Sequence, residues 1–239
     1  MSGPAQDLAR IEKATRSLCR AGAVVAFVLI VYCLATMVQM IVLGGQPSSA
    51  AEAFLLLRSH PLRGLLRLDL LTVFALPLYY LLFLALSMAL WPVDGVKAVV
   101  SALFVFTGVT LTLATPMALS MLPLSGKYAA ATTDAARSQF LAAGEAILAT
   151  DMWHGTGAFV GGLLVQTGAV LICLAMLKSA AFGKLTGWLG VVMFGLDLVH
   201  IVAGLFLPAV GAALLMVAGP LYPIWFFLAG RSLWRVARI

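Results

Sequence analysis

Two aspartate–histidine pairs share one spacing, Asp151 with His154 and Asp197 with His200. Residues three apart on a helix lie on neighbouring positions of one side, so each pair could present two ligands to one metal ion. Asp69 stands in an equally apolar context, and Asp69, His154, Asp197 and His200 together would make a ligand set. A water on such a metal would be the nucleophile of a hydrolysis. Against this, only three histidines occur in the chain, and Asp-x-x-His is short enough to arise by chance. Other catalytic templates are missing from the sequence: no Gly-x-Ser-x-Gly elbow, Walker loop, Cys-x-x-Cys or haem-type Cys-x-x-Cys-His. The glycines between Gly155 and Gly162 open an apolar run instead of following a strand, so they are no dinucleotide fingerprint. No cofactor is expected.

The elements that must position these residues are apolar helices. Hydrophobic residues make up 63% of the 239, charged residues only 10%, and the mean hydropathy is +1.08. Soluble domains carry about a quarter charged residues, so lipid is the indicated solvent. About 20 helical residues cross a bilayer core. Six runs reach that length: 21–43, 68–91, 98–122, 156–177, 187–208 and 211–230. The predicted fold is all-α, an integral membrane bundle of six transmembrane helices. A basic amphipathic arm, 1–20, precedes the membrane domain, 21–230, and a basic tail, 231–239, follows it. The first run exceeds the about 7–15 apolar residues of a signal peptide, so it reads as a retained span. Cleavage near Ser48–Ala51 would leave five. Cys19, Cys33 and Cys173 make no disulfide framework and read as small buried hydrophobes.

Charge sets the orientation. Arg10, Lys13, Arg16, Arg20, Lys97, Lys178, Lys184, Arg231, Arg235 and Arg238 fall on one side; Arg58, Arg63, Arg67, Lys127 and Arg137 fall on the other. The richer side marks the cytoplasm, which places both termini inside. Trp91, Trp188 and Trp234 then lie at the inner interface and Trp153 at the outer one. No basic cluster stands apart from the span ends, so the net charge of +6 does not point to nucleic acid. Leu8, Ile11 and Leu18 recur at helical intervals in the arm, which could lie on an anionic leaflet or simply act as a charged stop. The positive-inside rule favours the stop.

Two outer connections exceed what a linker needs. In 44–67, Ala51–Arg58 reads as helix and His60-Pro61 as its break. In 123–155, Thr133–Thr150 reads as an amphipathic helix between spans 3 and 4, with Thr133 or Asp134 as its cap. The run YAAATTDAARSQFLAAGEAILA, then LAMLKSAAFGKLTGWLGVV and the ending PLYPIWFFLAGRSL resemble a bacterial family of six-helix membrane proteins, the domain of unknown function 4386 family. The resemblance covers most of the chain from span 2 onward. It implies the six-helix fold and a bacterial plasma (inner) membrane, and it brings no catalytic or ligand-binding residues with it.

Ionisable residues inside spans are functional-site candidates by default. Asp197 lies about 15 Å along its span from the inner end, and His200 one turn further out. Gly190, Asp197 and Gly204 recur every seven residues, so that face should meet another helix. Asp69, Thr72 and Tyr80 form a similar stripe in span 2. The candidate polar pocket is therefore Asp69, Tyr80, Asp151, His154, Asp197 and His200, open to the outside, with Glu145 close behind and Gln39 and Gln166 as added hydrogen-bonding groups. Three readings stay open. The pocket fixes helix packing in a non-enzymatic protein, with Asp197 paired to His200, Arg67 or Tyr80. It binds or transports a small molecule, ion or lipid, helped by helix bends at Pro77, Pro116, Pro220 and Pro223. Or it is the metal-dependent hydrolase described first. Membrane lipids are the expected partners, and the sequence names no protein partner.

The orientation has a direct test. A reporter fused after Ile239 should be active only if it functions in the cytoplasm; activity of a reporter that works solely outside would overturn the assignment.

Overall fold

The structure, a computed structural model, describes residues 4–115 and 118–238, apart from the side chains of residues 4, 5 and 7–9. Its regular elements are all α-helices: α1 (Pro4–Leu43), α2 (Ala50–Ser59), α3 (Pro61–Arg67), α4 (Leu70–Ala75), α5 (Leu78–Leu113) and α6 (Ala118–Ala130). There follow α7 (Asp134–Ala149), α8 (Thr156–Met176), α9 (Lys184–Phe206), α10 (Pro208–Ala218) and α11 (Leu221–Val236). Among the described residues, five helical stretches are long and apolar enough to cross a membrane: Arg10–Leu43, Leu70–Ala130, Thr156–Met176, Lys184–Phe206 and Pro208–Val236. The third expected span and all but the first two residues of the second fall within Leu70–Ala130. Pro116 and the side chain of Leu8 lie outside the described part.

Helix α1 runs unbroken from Pro4 to Leu43, so the basic arm forms its first turns. Two local expectations are corrected. Helix α6 continues through Pro123, where a connection was expected, because burial of Met121 and Ser125 outweighs the lost backbone donor. The stripe from Asp69 to Tyr80 does not follow one helix. Leu76 and Pro77 interrupt it, since Pro77 has no N–H to continue the ladder.

The chain divides into two compact units. The first comprises residues up to Cys33, Pro77–Val109 and the chain from Gly162 on. Its core is close-packed: Phe194 meets Trp225 edge-on at 4.9 Å, and Trp225 meets Phe226 at 5.5 Å. Small residues permit these approaches. A side chain on Gly190 would strike Cys173 Sγ and the Trp225 indole, and one on Gly168 would come within 2.8 Å of the Ser101 carbonyl oxygen. Gly204, on the same stripe, lies against α10, where a Cβ on Gly211 would come within 3.0 Å of its Cα. Trp91, Trp188 and Trp234 are exposed, whereas Trp225 is fully buried.

Within α5, Asp94 departs from helical geometry (φ −155°, ψ 77°) two residues after Pro92. Ser87 closes the two halves by donating to the Ala98 carbonyl at 2.8 Å. The Asp94 carboxylate takes Lys97 Nζ at 2.5 Å and Lys178 Nζ at 3.0 Å. Those ammonium groups, Lys97 foremost, hold its carboxyl well below the usual carboxylate range.

The second unit comprises Leu34–Leu76 and Thr110–Gly161. Helices α2, α6 and α7 pack around Ala50, Ala53, Phe54, Leu57, Ala118 and Met121. Tyr128 packs against Phe54 with the rings 5.4 Å apart, and Gly144 on α7 leaves room for Ala50 and Phe54.

Glycine packing yields a paired prediction. Gly190→Ala should lower the thermal unfolding midpoint in detergent, because overpacking costs about 1–3 kcal/mol. Gly195→Ala, which meets nothing within 4 Å, should leave it unchanged or raise it by the helix propensity of alanine. Equal effects of the two would contradict this packing.

Candidate functional site

The polar residues of the second unit begin at the start of α2. Ser49 caps the helix by accepting from Glu52 N at 3.2 Å, and Glu52 takes the Ser48 N–H at 2.9 Å and its hydroxyl at 3.0 Å. Arg67 donates to the other Glu52 oxygen at 2.9 Å and to the Gly45 carbonyl at 2.6 Å. The Ser48 hydrogen bonds, then Arg67, keep the Glu52 carboxyl below its ordinary range. Arg67 is thereby engaged with Glu52, not with Asp197 as one sequence reading had it. Glu145 reaches from α7 to accept the Ala50 N–H at 2.7 Å. The first N–H groups of a helix lack partners within it, and a carboxylate there also complements the dipole.

Asp151 is the hub of this unit. Its Oδ1 accepts the backbone N–H groups of Trp153 at 2.9 Å and His154 at 3.1 Å, and faces His154 Nδ1 at 2.9 Å. Its Oδ2 accepts from Gln46. Asp151 is buried, while the His154 side chain is 60% exposed. The Asp-x-x-His string is here no helical pair. It is a tight turn closed by the aspartate side chain, as short polar side chains commonly close turns. Gly155 completes it, since a Cβ there would meet the Thr150 carbonyl oxygen at 2.7 Å.

Asp69 comes to the same place from the other direction. Between α3 and α4 it adopts the left-handed conformation (φ 62°, ψ 32°), which aspartate tolerates better than most residues. Its Oδ2 accepts the indole N–H of Trp153 at 2.7 Å. Gln46, Asp69 and Asp151 line one small cavity with Leu68, Met121, Ile147 and neighbouring apolar groups. The space holds about one water molecule.

In the first unit, Asp197 is paired by neither His200 nor Tyr80. Its Oδ2 accepts from Gln166 Nε2 at 3.0 Å and from the Tyr222 hydroxyl. His200 Nδ1 lies 2.8 Å from the Gly211 carbonyl oxygen, because α10 folds back from Pro208 against α9. Tyr80 packs edge-on against Phe106 at 5.1 Å. Of the six candidate residues, Asp69, Asp151 and His154 therefore gather in one unit, and Tyr80, Asp197 and His200 belong to the other. Among the described residues, no three His, Cys, Asp or Glu side chains converge as metal ligands.

Sequence reasoning passed over Gln46, Tyr222 and the hydrogen-bonding role of Trp153. Tyr222 had one legible signal, a phenol between Pro220 and Pro223 in an apolar run, where a polar tip needs a partner. Gln46 and Trp153 had none, since their partners lie 105 and 84 residues away. Comparison of the chain with protein-family models, curated proteins and solved structures finds no match.

Proposed function

We propose that this is a non-enzymatic protein of the bacterial plasma membrane, and that the cavity between Asp69 and Asp151 binds an ammonium group. One observation carries the reading: two carboxylates and a carboxamide line a space of about one water. An ammonium ion, or the end of a primary amine, has that size and donates hydrogen bonds in several directions. The left-handed backbone of Asp69 adds weight, because strained residues persist where surrounding structure enforces them and cluster at ligand sites. The donor set suits an amine better than a metal, since three ligating side chains do not converge there. Engagement of Asp151 by its own turn also favours a packing role for the same groups, and the experiment below separates the two.

Six crossings with both termini cytoplasmic complete the proposal. The Leu70–Ala130 stretch has 61 residues, about three times what the hydrocarbon core needs, which supports two crossings. The non-helical Asp94 beside two lysines supplies the turn between those crossings. The lysine and arginine excess on that side supports its cytoplasmic placement. Helix α7, in the connection between the third and fourth crossings, then lies on the outer side. The resemblance to the domain of unknown function 4386 family supports the bacterial membrane.

The test is thermal unfolding of purified protein in detergent, titrated with ammonium, sodium or tetramethylammonium chloride at matched ionic strength. Ligand binding to the folded state should raise the midpoint with ammonium alone. Asp69→Asn, which keeps the backbone conformation accessible, should abolish the rise. Equal shifts with all three salts would contradict ammonium binding and leave packing as the role of these carboxylates.

A further inference from the structure

A separate carboxylate sits in the first unit, and its hydrogen bonds do not add up. Asp197 is 7% exposed within the apolar helix α9. Its Oδ1 is buried without a hydrogen-bond partner. Among the described residues, no lysine or arginine forms an ion pair with it. Its Oδ2 accepts from Gln166 Nε2 at 3.0 Å and from Tyr222. Tyr222 also reaches Gln166 Oε1 at 3.4 Å, and Gln166 Nε2 reaches the Tyr222 oxygen at 3.3 Å. A phenol has one hydrogen, so Tyr222 can serve Asp197 or Gln166 Oε1 but not both. The group is one hydrogen short.

An ionised Asp197 leaves that shortfall and adds a charge with no counter-ion in apolar surroundings, where both are costly. One proton on Asp197 Oδ2 removes the charge and frees the phenol hydrogen for Gln166. The acid hydroxyl donates to the Tyr222 oxygen, and Tyr222 donates onward to Gln166 Oε1. We propose that Asp197, Tyr222 and Gln166 form a buried proton-binding site, occupied at neutral pH, with Asp197 as the neutral acid. The proton comes from water and no other bond changes. The titratable groups facing Asp197 are Tyr222 from α11, Tyr79 from α5 and His200 on α9 itself; α8 faces it with the uncharged Gln166. His200 donates from Nδ1 to the Gly211 carbonyl. The dense packing of Phe194 on both Tyr222 and Trp225 suits a proton better than a larger ion.

Infrared spectroscopy of the purified protein at neutral pH reads the proton directly. Wild type should show the carbonyl stretch of a protonated carboxylic acid, moved to lower frequency in D2O. Asp197→Asn should lose that band. Tyr222→Phe should shift it upward, because a hydrogen bond to the acid is removed. Asp69→Asn should retain it, which keeps the outcome independent of ammonium binding. Identical spectra of wild type and Asp197→Asn in this region would overturn the proposal. Should Asp197→Asn fail to fold, the Tyr222→Phe spectrum decides, and coincidence with wild type would overturn the proposal equally.

Discussion

Apolar surroundings supply no water to a buried polar group, so each must find a partner within the protein or lose its charge. That constraint organises the whole chain. With 63% hydrophobic residues, most of the sequence is free to face lipid or to pack, and only a handful of side chains face this demand. Their solutions are local to each unit. In the first, a carboxylate, a phenol and a carboxamide from α9, α11 and α8 meet in one group. In the second, short polar side chains secure the helix ends and turns.

The second unit shows how such contacts substitute for long spans. Helices α2 and α3 are 10 and 7 residues long, too short to hold themselves in place alone. Glu145 satisfies the start of α2, Ser49 and Glu52 close the same end, and Arg67 ties α3 to it. The apolar cluster around Phe54 and Met121 provides the burial that these hydrogen bonds orient. The two carboxylates left at its edge, Asp69 and Asp151, are the ones that line a cavity. Scaffold and candidate site are thus made of the same kind of contact.

Helical, membrane-type character was legible from hydropathy alone, because it depends on run length and not on tertiary contacts. The Asp-x-x-His strings were legible as strings but misleading as geometry. At Asp151 the spacing belongs to a turn, and the signal for that was Gly155, where only a missing Cβ clears the Thr150 carbonyl. At Asp197 the spacing is helical, yet His200 serves Gly211 because α10 folds back after Pro208. The seven-residue stripe of Gly190, Asp197 and Gly204 meets other helices at each member: Gly190 at Trp225, Asp197 at Tyr222 and Gly204 at Gly211. Partners far apart in sequence, such as Gln46 with Asp151 and Trp153 with Asp69, leave no periodic trace, and only the fold reveals them.

The claim that carboxylates here are held by specific partners is tested most directly at Asp69 and Trp153, joined by a hydrogen bond of 2.7 Å. A double-mutant cycle with Asp69→Ala and Trp153→Phe, read by unfolding free energy in detergent, isolates that bond. The account predicts a coupling of about 1 kcal/mol or more, as expected for a hydrogen bond to a carboxylate. Additive effects of the two substitutions would contradict it.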